Sequence, residues 1–129
     1  MKLNLGCGKV RKEGYVNIDK ISDSAVDLVC DFTRGLPFED NSVDEIYARH
    51  MLQQILDYDR VMEEIYRVCK KGALVTLIVP YFSSYAAHAP DHVRFFNFSS
   101  FDIFDKSKQT RWKKSQHIEF KIKKIEFRF

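Results

Sequence analysis

Short apolar runs separated by polar turns dominate the first two thirds of the chain. Residues 2–5, 15–18, 27–30, 43–48 and 73–80 form five such runs, none with strict alternation of apolar and polar positions. Runs of this kind predict strands covered on both faces, as in a parallel sheet. One stretch has helical spacing instead. From Tyr58 to Lys70, Val61, Ile65, Val68 and Cys69 fall on one stripe, while Arg60, Glu63, Glu64 and Arg67 fall on wetter faces. Asp57 is placed to cap its start and Gly72 its end. This helix predicts a right-handed crossover into the 73–80 strand.

Further on, Ser99 and Asp102 have the spacing of a capping box that opens a short helix. The last apolar stretch, 118–129, places Ile118, Phe120 and Ile122 on one face. Ile125, Phe127 and Phe129 follow in the opposite phase. A bulge at Lys123-Lys124 would bring both sets to one side of a closing antiparallel strand. The prediction is an α/β fold: a Rossmann-like, doubly wound, mostly parallel, three-layer sheet with an antiparallel C-terminal strand. The whole chain, 1–129, reads as a single domain without repeat, low-complexity segment or linker.

The chemistry collects at strand ends. Leu3-Asn4-Leu5-Gly6-Cys7-Gly8 runs an apolar strand into Gly-x-Gly, and the second strand ends in Asn17-Ile18-Asp19. Glycine allows the positive φ and the close backbone approach that a Cβ blocks. A carboxylate ending the next strand is placed to accept two ribose hydroxyls. Together they predict a nucleoside-cofactor pocket at the carboxyl edge of the sheet. A dinucleotide fingerprint would need a third glycine, a full helix and an acid roughly 20 residues on. Here Arg11 holds the third glycine's place and the intervening segment is too short for the helix. An NAD-type oxidoreductase is therefore disfavoured.

Asp27-Leu28-Val29-Cys30-Asp31-Phe32 adds another strand ending in a carboxylate. Then come Leu36-Pro37-Phe38-Glu39-Asp40-Asn41-Ser42-Val43-Asp44-Glu45-Ile46-Tyr47-Ala48 and Glu63-Glu64-Ile65-Tyr66-Arg67-Val68, closed by Lys71-Gly72. This succession resembles the class I S-adenosylmethionine-dependent methyltransferases, over about residues 1 to 104. The resemblance implies methyl transfer from S-adenosylmethionine to an unidentified acceptor. The alternative is a noncatalytic binding or regulatory module on the same fold.

By resemblance, Gly6, Cys7 and Gly8 line the amino-acid end of the cofactor, and Asp19 takes the ribose hydroxyls. Asp31 meets the adenine amino group beside Phe32, and Ala48 and Arg49 face the sulfonium and carboxylate region. Asp31-Phe32-Thr33 also reads as a plain turn. Many relatives carry Glu-His where this chain has Gln53-Gln54. Neither helices before the first strand nor a closing strand pair is seen, so the sheet is expected to be shortened relative to the usual seven strands.

The segment 81–98 leaves the sheet at its ligand-binding edge and holds His88 and His92 beside Asp91. His92 is the first candidate base and His88 the second, for an acceptor that must lose a proton. Asp91-His92-x-Arg94-Phe95-Phe96 resembles a stretch of related enzymes with altered spacing. No metal is expected, because the histidine pair has no third ligand in view.

Composition adds limits. A net charge of +3 over 129 residues and 14% aromatic content describe a folded chain. No apolar run reaches the length of a membrane span, and no leader segment is expected before the first strand. Cys7, Cys30 and Cys69 have no paired spacing, which predicts reduced thiols and a cytoplasmic protein. The basic residues around Trp112 allow nucleic-acid contact, but a small-molecule acceptor is the favoured partner. The 118–129 strand is expected to be covered by a second copy or another protein.

Overall fold

The structure, a computed structural model, describes residues 1–126. Five parallel strands build one sheet: β1 (Lys2–Leu5), β2 (Val16–Asp19), β3 (Leu28–Val29), β4 (Val43–Arg49) and β5 (Cys69–Ile78). Their spatial order is β3-β2-β1-β4-β5. The order reverses between β1 and β4, and the strand ends at such a switch point open a crevice.

Register explains the core. Leu3 lies opposite Val16 and Ile46, and Leu5 opposite Ile18 and Ala48, so these side chains share one face. All but the partly buried Val16 are almost fully buried, together with Val61, Met62, Ile65 and Val68 of helix α1 (Tyr58–Val68). The Asp57 carboxylate caps α1 by accepting from the Arg60 amide. The helix stripe read from the sequence is therefore the face that meets the sheet.

The other sheet face carries Asn4, Asn17 and Tyr47 in register. Asn4 donates to Asn17 Oδ1 at 2.8 Å, and the Lys12 amide donates to the same oxygen. Lys12 Nζ lies 5.0 Å and 4.4 Å from the ring centroids of Tyr15 and Tyr47. Among the described residues no helix covers this face, which corrects the expected three layers. Parallel strands normally need a crossover of about a dozen residues or more for a helix. Residues 6–15 and 20–27 are shorter than that and turn back as loops.

The C-terminal segment is a second correction. Residues 118–126 form no strand, so no antiparallel strand occurs among the described residues. Phe127 and Phe129 lie outside them. The backbone is held elsewhere: the Phe120 amide donates to Phe104 O at 2.8 Å, and the Ile122 amide to Asp105 Oδ2 at 2.8 Å. Ile118 is buried in the core, and Phe120 packs edge-on against Tyr66 of α1 at 5.3 Å. The segment is a plug over the helix rather than a sheet edge. The edges of the sheet are β3 and β5.

Two predicted caps also change role. Helix α1 ends at Val68 and runs directly into β5, so Gly72 does not cap it. Gly72, at φ 84°, sits instead in a bulge where the pairing jumps from Val43–Cys69 to Glu45–Leu74. Ser99 does not cap a helix through its side chain. It donates to Asn97 Oδ1, and only a 3₁₀ turn, Asp102–Phe104, follows.

Candidate functional site

At the carboxyl ends of β1, β2, β3 and β4 lies a cavity of about 370 Å³. Gly6 lines it from β1, Asp19 and Lys20 from β2, residues 31–33 from beyond β3, and residues 50–51 and 54–57 from beyond β4. Its volume is in the range of small-molecule sites.

Gly6 adopts φ 69°, and a Cβ there would sit 2.8 Å from Met51 Cγ. The backbone therefore passes against Met51 with no room for a side chain. The Gly6 and Cys7 amides both donate to Ile18 O, which fixes the loop to the end of β2. Asp19 Oδ2 accepts from the Gly8 amide at 2.9 Å, and Oδ1 from the Ile21 amide at 3.1 Å. Each oxygen keeps a lone pair free. The carboxylate is thus oriented by backbone donors, with capacity left for a diol.

Asp31 serves the turn first. Its Oδ1 accepts from the Thr33 amide and hydroxyl, and these bonds hold its carboxyl below the usual range. It still lines the cavity beside the buried Phe32. The turn and the cavity wall are the same residues.

The structure does not bring every candidate to this cavity. Cys7 is buried and Gly8 is exposed outside the lining. Ala48 is buried in the core between β1 and β5. Arg49 is exposed and lines a separate, much larger open cleft beside β5, bordered also by Tyr47, Tyr81, Ser83 and Phe96. Burial pushes the thiols of Cys7, Cys30 and Cys69 up, that of Cys69 to about 11, so none is a ready nucleophile at neutral pH.

The 81–96 segment is tied at its base, where the Phe82 amide donates to Phe96 O at 2.7 Å. His88 is exposed, with Nε2 3.1 Å from Phe82 O and its ring against Phe95. His92 is more enclosed: Nδ1 is 3.3 Å from Ala87 O, and Nε2 is 3.8 Å from Asp91 Oδ1. Neither ring lines the cavity. The link between segment and cavity runs through Gln54, whose Nε2 donates to Asp91 Oδ2 at 2.8 Å. Gln53 is buried, and its backbone oxygen accepts from the Val93 amide.

Sequence reasoning missed His50 and Met51, which border the cavity directly after β4. Their position just past a strand end at the switch point was the available signal. The positive φ of His50 was not readable in advance. Among the described residues, no group of three or more His, Cys, Asp or Glu is arranged to hold a metal.

The family model described as a methyltransferase domain matches residues 9–77. The chain belongs to that family. By this match it is a class I S-adenosylmethionine-dependent methyltransferase domain. It is 33% identical over 76 residues to a demethylmenaquinone methyltransferase of Bacillus pumilus, and equally to one of Listeria welshimeri. Identity to the enzyme of that description from Anoxybacillus flavithermus is 30% over 76 residues. Each alignment covers 59% of this chain and 29% of the relative, so the chain spans under a third of these proteins' length. No solved structure matches it significantly.

The cavity fits the cofactor that the family implies. A wall that admits only bare backbone at Gly6, a carboxylate held by amides at Asp19, and a second carboxylate at Asp31 match a nucleoside with an amino-acid tail. When bound, S-adenosylmethionine supplies an already activated methyl group.

Proposed function

We propose that this chain transfers a methyl group from S-adenosylmethionine to a small-molecule acceptor. The observation that carries this reading is the convergence of Gly6, Asp19, Asp31 and Phe32 on one cavity at the switch point. In this reading Asp19 holds the ribose hydroxyls, Asp31 the adenine end and Gly6 the amino-acid end. The protein's work is alignment and exclusion of water, since the donor needs no further activation. The acceptor comes along the open cleft that Tyr81, Ser83 and Phe96 border. The relatives are named for demethylmenaquinone, which makes a quinone or its quinol a fair first probe.

Incubation with methyl-labelled S-adenosylmethionine and a panel of phenols, quinols, amines and thiols tests this. Label in at least one acceptor is expected. Bound cofactor without transfer across the panel would favour the noncatalytic module.

The proposal of a homodimer moves to the outer edge of β5. Leu74 is 54% exposed there, and the stretch from Gly72 to Tyr81 carries no charge to discourage strand pairing.

A further inference from the structure

Two non-glycine residues among the described ones have positive φ, Asn41 at 54° and His50 at 52°. Asn41 lies in the turn before β4, where an asparagine commonly takes this conformation. His50 does not lie in a tight turn between strands. It is the first residue past β4, and its amide donates to Ile78 O at 2.7 Å, closing the β4–β5 pairing at the ligand edge. An unusual backbone conformation at such a place is a pointer to function.

His50 is also the residue that borders both spaces of the site. It lines the cavity with Gly6 and Met51, and it lines the open cleft with Arg49 and Tyr81. Among the described residues no other lines both. We infer that His50 is the acceptor-positioning residue of this site, its imidazole standing between the cofactor cavity and the acceptor cleft and accepting a hydrogen bond from the acceptor's X–H group. This rests on the reading of the cavity as the S-adenosylmethionine site.

The ring is suited to that role. Among the described residues no protein group hydrogen-bonds to it, so a nitrogen lone pair is available. His50 is exposed as a residue, but partial desolvation of its ring first, then the charges of the preceding Arg49 and of His92 from the 81–96 segment, lower its pKa below the ordinary histidine value. The carboxylates on the cavity wall, Asp19 and Asp31, come from β2 and from beyond β3. A neutral imidazole can accept where an imidazolium cannot. His92 and His88 each have a ring nitrogen near a backbone carbonyl of their own segment and neither borders the cavity.

The test is the titration of the histidine rings by NMR in the full chain, with S-adenosylmethionine and with its demethylated product, S-adenosylhomocysteine. His50→Asn assigns the resonance, because asparagine tolerates positive φ, and His50→Gln serves if that variant fails to fold. The two ligands differ by a methyl group and the sulfonium charge. A ring at the reacting centre feels that charge: its midpoint is expected roughly half a pH unit or more lower with S-adenosylmethionine, the effect of a unit charge within about 6 Å even in a water-like medium. Equal His50 midpoints with both ligands bound would overturn the inference. Binding of neither ligand would remove the cofactor reading, and the inference with it.

Discussion

A single carboxylate decides how much of the site works as read. Asp19 is aimed by the Gly8 and Ile21 amides and retains acceptor capacity toward the cavity. Asp19→Ala should weaken S-adenosylhomocysteine binding by ~1.5–3 kcal/mol, the scale of a hydrogen bond to a charged group. Unchanged affinity by calorimetry would remove Asp19 from the ribose. Gly6 makes a sharper steric case. A Cβ at φ 69° would press on the Met51 side chain, so Gly6→Ala should destabilise the fold by about 1–3 kcal/mol. A denaturation midpoint equal to that of the unaltered chain would contradict that packing. Asp31 shows why one residue invites two readings: its Oδ1 is spent on Thr33 while the residue still walls the cavity.

At the scale of elements, local signals and long-range ones parted company. The strands over 2–5 and 43–48 and the helix from Tyr58 were legible because apolar spacing and the Asp57 cap act within a few residues. Helix α1 stopped at Val68 because the chain pairs with β4 from Cys69 onward, a contact that Gly72 could not reveal. The 118–129 pattern of alternating apolar residues suits a strand equally well as a plug. What decides is the pair of distant acceptors, Phe104 O and Asp105 Oδ2, which hold Phe120 and Ile122 away from the sheet. Gly6 and the two strand-end carboxylates were readable as neighbours at one sheet edge, whereas the placing of Cys7 and Gly8 outside the cavity and the positive φ of His50 had no local signal. Ile118→Ala separates plug from exposed edge. A buried isoleucine lost from a core costs about 2–5 kcal/mol in urea unfolding, and a loss under about 0.5 kcal/mol would place Ile118 at the surface.

For the whole molecule, two carboxylates set the acid limit. Amide donation from Asn17, then the Arg11 guanidinium, hold Asp27 at about 2, and Ser107 with the Ile122 amide hold Asp105 at about 2. Both lie below the ordinary aspartate value of 3.8. Their contribution to stability is therefore complete above pH ~4 and is lost as pH falls toward ~2. Thermal midpoints should drop through that window, and the Asp27→Asn variant should show a shallower drop. An identical slope would contradict the assignment. Light scattering across a dilution series tests the β5 pairing: a mass of twice 15.2 kDa is expected at high concentration, and a constant monomer would count against it. The most direct measurement is calorimetric titration of the full chain with S-adenosylmethionine, S-adenosylhomocysteine and NAD. The account predicts that the first two bind, one per chain, and that NAD gives no binding heat. NAD binding, or no binding of either adenosyl ligand, would contradict it.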